Sequence, residues 1–404
     1  MKVLISGAGI GGLAAALRLR DLGHDVTVLE KTPEPKDIGG GILVPPNSMR
    51  ILQTLGLSQA IESVGWLPQS RQVIRWKDAS LIAEAPLGDG VREQYGAPFM
   101  VMHRADLHRT LLDAVAEPNK EMKDVDVRFG IDIVRAESEG AGGVAIDADG
   151  NQYKADVIIG ADGLHSNIRK SIGIFDEPTF EGNILWWSLI PIEDLRKDPM
   201  HAWLEPRLAV WVGPERHVVH FLVRRGEFLM LAAIVPWEEE MPESWSAVGD
   251  RDAAIEPFEV WDEKLYKLMQ LAKEVHPWPL LDRNPFDYWT QGRIALLGDA
   301  CHPMLPHQAQ GAAQSVEDAW ILAEKLTEAD TSSVEEALKA YEEARKPRAT
   351  VIQQASRDHG EAYHLPDGPD QQKRDEIMAK NFGNAVVTFD WLWGGTPDSL
   401  PPKD

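Results

Sequence analysis

Short apolar runs that stop abruptly on a glycine or an acid recur along this chain and set its frame. Lys2 to Ser6 (KVLIS) reads as a buried parallel strand, and a glycine-rich turn follows at Gly7 to Gly12. LAAALRLRDLG then supplies strong helix formers closed by Gly23, and Asp25 to Glu30 (DVTVLE) is a second strand ending on an acid. Two further buried strands end the same way, ADVIIGAD at 155–162 and RIALLGD at 293–299. Residues 182–236 follow a different pattern. NILWWSLIPI, LAVWVG, HVVHFLV and FLMLAAIVPW are strand-like and aromatic, which predicts an antiparallel sheet.

Helical spacing appears after Gly311, with apolar positions at Val316, Ala319, Ile321 and Leu322. Two helices are expected between Val260 and Glu274. A long one is expected from Ser333 to Ala362, kinked at Pro347. The Pro- and Gly-punctuated tail from His364 reads as a C-terminal extension. No repeat or low-complexity run interrupts the chain.

Composition narrows the options. A chain of 404 residues has length enough for two domains, and a net charge of −23 repels phosphate backbones and anionic lipid. Neither nucleic acid nor membrane is an expected partner, and no apolar stretch is long enough for a bilayer. One cysteine excludes an intrachain disulfide and a cysteine-rich metal site. The opening MKVLISGAG runs straight into a strand without a signal layout, so a cytoplasmic protein, monomer or homodimer, is expected.

The first βαβ unit carries G-x-G-x-x-G. Gly7 permits a sharp turn, Gly9 lets backbone N–H groups approach a pyrophosphate, and Gly12 permits close helix packing, with Gly11 between them. The helix start offers unpaired N–H donors to the phosphates. Glu30 is placed for a ribose diol and disfavours a 2′-phosphate, which leaves FAD or NAD as the held nucleotide. Asp299 ends the third strand where a carboxylate meets a ligand crevice. Gly311, Ala312 and Ala313 bare N–H groups at a helix start.

GAGIGG at 7–12 with Glu30, GADGLHSNIR at 160–169 and LLGDACHPMLPHQAQGAAQSVEDA at 297–319 together resemble the three motifs of the group A flavin-dependent aromatic hydroxylases. These share the 4-hydroxybenzoate hydroxylase fold, and the match spans roughly residues 1–350. The third motif is most similar to the salicylate hydroxylase and 6-hydroxynicotinate monooxygenase branch. The resemblance implies an α/β chain: a Rossmann-type FAD-binding domain, an inserted mixed β-sheet substrate domain and a C-terminal helical extension. The expected boundaries are 1–69, 98–176 and 276–355 for the FAD domain, 70–97 and 177–275 for the substrate domain, and 356–404 for the extension.

It further implies bound FAD, with NADH or NADPH as transient reductant and O2 as oxidant. A flavin C4a-hydroperoxide would hydroxylate a small hydroxy- or aminobenzoate-like aromatic, with loss of CO2 in salicylate hydroxylase-like members. Cofactor contacts are implied at Arg104, Asp162, Gly163, Arg169, Gly298, Asp299 and Pro306 as well as at the glycines above.

Such chemistry needs a base near the ring and a closed apolar pocket. His307 is the leading candidate base, while His302 and Cys301 read as structural and no metal is expected. His217 and His220 lie on one strand, three residues apart, and so point to opposite faces. His220, Phe221, Trp187 and Leu43 are the candidate substrate contacts, and the Arg224-Arg225 pair is a candidate carboxylate binder. Leu43 stands where 6-hydroxynicotinate-type sequences tend to carry histidine, which argues against that substrate. Asp37 stands where relatives often have a basic residue. A hydroxylase of larger phenols, and a redox sensor without catalysis, are the alternatives.

Overall fold

A computed structural model describes residues 1–37, 39–118, 122–197, 207–238, 241, 247–381 and 388–400. The apolar runs ending on glycine or acid assemble into one six-stranded sheet. Its order is Thr290–Gln291, Ile294–Leu296, Val157–Gly160, Lys2–Ser6, Asp25–Glu30 and Asp126–Phe129. Every pairing is parallel except the terminal hairpin. Parallel order places all three sequence motifs at one end of the sheet, where the strands end and ligands bind in such folds.

Helix Ile10–Asp21 packs against helix Gly311–Thr327. Gly11 permits the approach, because a Cβ there would stand 2.6 Å from Leu297 Cδ2 and 2.8 Å from Ser315 Cβ.

The aromatic segment folds into a seven-stranded sheet, in the order His276–Asp282, Thr179–Pro191, Phe228–Pro236, Arg216–Val223, Arg207–Gly213, Ser70–Arg75 and Leu81–Pro86. One pairing, Arg207–Gly213 with Ser70–Arg75, is parallel, so the sheet is mixed. One face carries Trp186, Trp211 and Leu231 onto Phe258 and Leu265 of the flanking helices. The opposite face carries Trp187, Val210, Phe221 and Met230 into a separate cluster.

Three expectations need correction. Strand His276–Asp282 pairs with Thr179–Pro191, so the substrate domain runs past 275. Between Val260 and Glu274 there is one helix, Glu263–Met269, capped by Asp262. The second lies upstream at Arg251–Ile255, capped by Asp250, and is too short to show a period. Helix Val334–Tyr363 runs through Pro347 and across the expected 355/356 boundary, so the extension begins inside a packed helix. The tail adds helices Pro369–Asn381 and Phe389–Gly394, and residues 382–387 and 401–404 of it lie outside those described.

Candidate active site

The nucleotide cradle starts at the first strand's end. Gly7 has φ +107°, and a Cβ on it would fall 2.3 Å from Ala161 O. A Cβ on Gly12 would fall 2.1 Å from Gly7 O, whereas one on Gly9 meets nothing within 4 Å. Two glycines therefore close the turn against the sheet, and Gly9 faces open space at the helix start. That opening is what a pyrophosphate requires, so the cradle fits a dinucleotide. Glu30 Oε2 accepts from the Ala8 N–H at 2.8 Å, and its Oε1 accepts from the Thr32 N–H at 2.8 Å. The carboxylate is thus fixed beside the turn.

A cavity of about 350 Å³ lies between the two domains. Arg104, Asp299, Gly40 and Pro306 line it from the nucleotide domain. Burial works against the Arg104 charge and Asp299 favours it. Asp299 Oδ1 lies 3.9 Å from the Cβ position of Gly311, which opens the Gly311–Thr327 helix with Ala312 and Ala313. Gly298 adopts φ +65° and donates its N–H to Asp318 Oδ2 at 3.0 Å. Asp318 in turn holds His302 and, at 2.8 Å, Arg345 Nε. Burial raises the Asp318 carboxyl, but His302 and Arg345 more than reverse this and keep it below the usual range. The loop bearing Asp299 is therefore anchored to a buried charge network.

The cover sheet supplies the other wall with Trp187, Val210, Val219, Phe221, Met230 and Ala232, and Leu43 joins from the glycine-rich loop. Trp187 stacks on His276, with ring centroids 4.2 Å apart. At another part of the lining stand Arg71, His217, His307 and Tyr363. Arg71 Nη2 donates to Tyr363 Oη at 3.0 Å, and His217 Nδ1 lies 2.7 Å from His364 Nε2. The His217 ring sits 5.3 Å from His307 and 5.1 Å from Tyr363. Burial pushes His307 down to about 3, with His364 and His359 adding to it. Burial and the same neighbours hold His217 well below its ordinary value. These imidazoles are neutral at pH 7.

Several sequence candidates lie elsewhere. His220 is on the opposite face of its strand, where its Nε2 accepts from Trp211 Nε1 at 3.2 Å; the strand's alternation puts His217 in the cavity instead. Arg224 pairs with Asp37 and Asp106, and neither it nor Arg225 lines the cavity. Arg169 is fully buried and donates to Ala300 O and Leu164 O, so it braces the loop beside Asp299. Asp162 accepts from Ser166 Oγ and from the N–H groups of Asn167 and Ile168, which makes it a turn-closing group. Gly163 takes φ +78° with open space where a Cβ would point.

Cys301, His302 and Asp318 come within metal-binding distance of one another. The Arg345 guanidinium already supplies the positive charge on that carboxylate, and burial keeps the Cys301 thiol protonated, which disfavours a cation there. Arg71 and Tyr363 were missed. Only the spacing of His359 and Tyr363, one helical turn apart on a buried face, hinted at the latter.

The model of an FAD-binding domain matches residues 1–356. Among curated relatives, 3-amino-4-hydroxybenzoate 2-monooxygenase of Streptomyces platensis is 36% identical over 97% of this chain and 96% of its own. The 6-hydroxynicotinate 3-monooxygenase of Pseudomonas fluorescens is 33% identical over 89% of this chain and 91% of its own. A salicylate hydroxylase solved as a substrate complex superimposes with a TM-score of 0.80 at 26% identity, covering 97% of this chain and 95% of its own. With the dinucleotide cradle, the third-motif loop and the covered cavity all in place, the chain belongs to the FAD-dependent aromatic monooxygenases and uses FAD as its cofactor.

Proposed function

We propose that the substrate is a small benzoate carrying a ring hydroxyl or amino group. The observation that carries this is the division of the cavity lining: apolar and aromatic side chains over most of it, and a cationic and imidazole group at Arg71, Tyr363, His217 and His307. The apolar part suits the ring, and Arg71 with Tyr363 suits its carboxylate. Because the Tyr363 oxygen accepts from Arg71, its own O–H remains able to donate to the acid.

Gly9, Gly11 and Gly12 with Glu30 would hold the nucleotide half of FAD. Arg104, Asp299 and the Gly311 to Ala313 helix start would hold the ribityl and ring end. Gly7, Asp162, Gly163, Arg169, Gly298 and Pro306 shape the loops around it. When bound there, FAD would supply the hydride acceptance and O2 activation that the reaction needs. One oxygen atom enters the ring in place of hydrogen and the other leaves as water, with NAD(P)H supplying two electrons.

The protein's own task is to orient the ring, exclude water and receive the ring-hydroxyl proton. His217 suits that last role better than His307. The His307 Nδ1 is buried without a partner among the described residues, and its Nε2 packs where a Cβ on Gly360 would lie 2.6 Å away. His217 opens onto the cavity and is oriented by His364. The single buried cysteine agrees with a cytoplasmic setting.

The test is NADH and NADPH oxidation in air by the flavin-loaded protein against hydroxy- and aminobenzoates, with hydroxylated product and CO2 measured together. Strong stimulation by one acid, lost in Arg71→Met through a raised KM, is expected. A flavin-loaded protein that every benzoate leaves unstimulated would overturn the reading.

A further inference from the structure

We propose that His364 is the exit for the ring-hydroxyl proton, received from the cavity through His217 and released at the protein's edge. The inference rests on the hydroxybenzoate reading above and adds a residue and a route to it. His217 is 2% exposed and turns its imidazole to the cavity, with Nδ1 at 2.7 Å from Nε2 of the half-buried His364. One end of this pair meets the substrate space and the other reaches toward solvent.

Proton balance explains why a pair is needed. His217 faces His307, His359, His364 and Tyr363, Arg71 stands behind Tyr363, and Arg216 bears on His364. None of the groups shifting these histidines is a carboxylate. A proton parked on His217 would be a buried charge that none of these protein groups balances. With Nδ1–H of His217 donating to His364, Nε2 of His217 takes the ring proton as Nδ1 gives its own to His364 Nε2. His364 then loses its Nδ1 proton to water. His217 ends neutral in the other tautomer, and the phenolate's is the one charge the step leaves in the cavity. His364 lies beyond residue 356, where the match to the family model ends, so the exit belongs to this chain's C-terminal part.

The experiment uses flavin-loaded protein and 4-hydroxy-3-nitrobenzoate, whose phenolate absorbs visible light. The ligand is bound near neutral pH and its ionisation is followed after a pH jump, in wild type, His364→Phe and His364→Gln. Expected is binding within about twofold of wild type, ionisation slowed roughly tenfold or more in both variants, and recovery with added imidazole. Unchanged ionisation rates overturn the exit, as does a slow rate that imidazole fails to restore, since that marks a packing role. If wild type binds neither the probe nor any hydroxybenzoate, the substrate reading fails and takes the exit with it. Binding without a rate effect removes the exit alone.

Discussion

The glycines of the first turn differ in what a methyl group would cost. Gly9 faces open space, so Gly9→Ala should leave the fold intact and lower FAD retention, read as flavin absorbance per chain after gel filtration. Gly7→Ala and Gly12→Ala place a Cβ against a backbone carbonyl oxygen that cannot withdraw. Both should lose about 3 kcal/mol or more of stability, seen as a lower urea midpoint of the apoprotein. Equal stability losses in all three variants would refute the division of labour. The motif and the separate roles of its glycines were legible in the sequence, but the atoms that enforce them were not, because Ala161 arrives from another strand.

Gly360 offers a second residue-scale test. Alanine there gains helix propensity, about 1 kcal/mol, but its Cβ would stand 2.6 Å from His307 Nε2 and Cδ2. The imidazole can swing away, so Gly360→Ala should keep Tm near wild type. Substrate-stimulated NAD(P)H oxidation should fall several-fold as His307 intrudes on the cavity. A variant as active as wild type would show that His307 position does not matter.

Among whole elements, helices Gly311–Thr327 and Val334–Tyr363 are joined by buried charges. Arg345 bonds Glu317 and Asp318, and Arg348 bonds Glu317 and the Leu392 carbonyl of the C-terminal helix. Cutting one member leaves its partner charged and dry, which costs about 3–5 kcal/mol. Asp318→Ala should therefore lower the urea midpoint. It should also release flavin, because Asp318 holds Gly298 next to Asp299. Stability lost with flavin fully retained would separate the network from the cofactor loop.

Element type was readable wherever an apolar run had a sharp end, and strand alternation correctly put His217 and His220 on different faces. Which face met the cavity was not readable, since that depends on how two sheets stack. Arg71 and Tyr363 are 292 positions apart, and no local pattern joins them. The short strand His276–Asp282, with two prolines in seven residues, gave no clean strand signal.

For the molecule as a whole, the buried histidines set a pH limit. Burial lowers His220, His307 and His359 to about 3 and His364 to about 4, with His217 moved the same way. In the unfolded chain each would titrate near 6.5. Between those values the unfolded chain binds more protons than the fold, so stability rises with pH across the window and levels off above about 6.5. Each such histidine contributes a slope of about 1.4 kcal/mol per pH unit inside the window. Urea midpoints measured between about pH 4.5 and 7.5 should fall steeply on the acid side. His220→Gln should make that slope shallower by about one proton, since this histidine lies away from the cavity and its loss leaves the substrate end intact. A profile flat from pH 7.5 to about 5 would mean that the histidines take up protons in the fold as they do in the unfolded chain, near 6.5. The cavity histidines would then gain positive charge below about pH 6.5, and Arg71 would share recognition of an acid with them there. Stability measurements without any substrate can therefore decide whether these imidazoles are neutral at the pH where the acid binds.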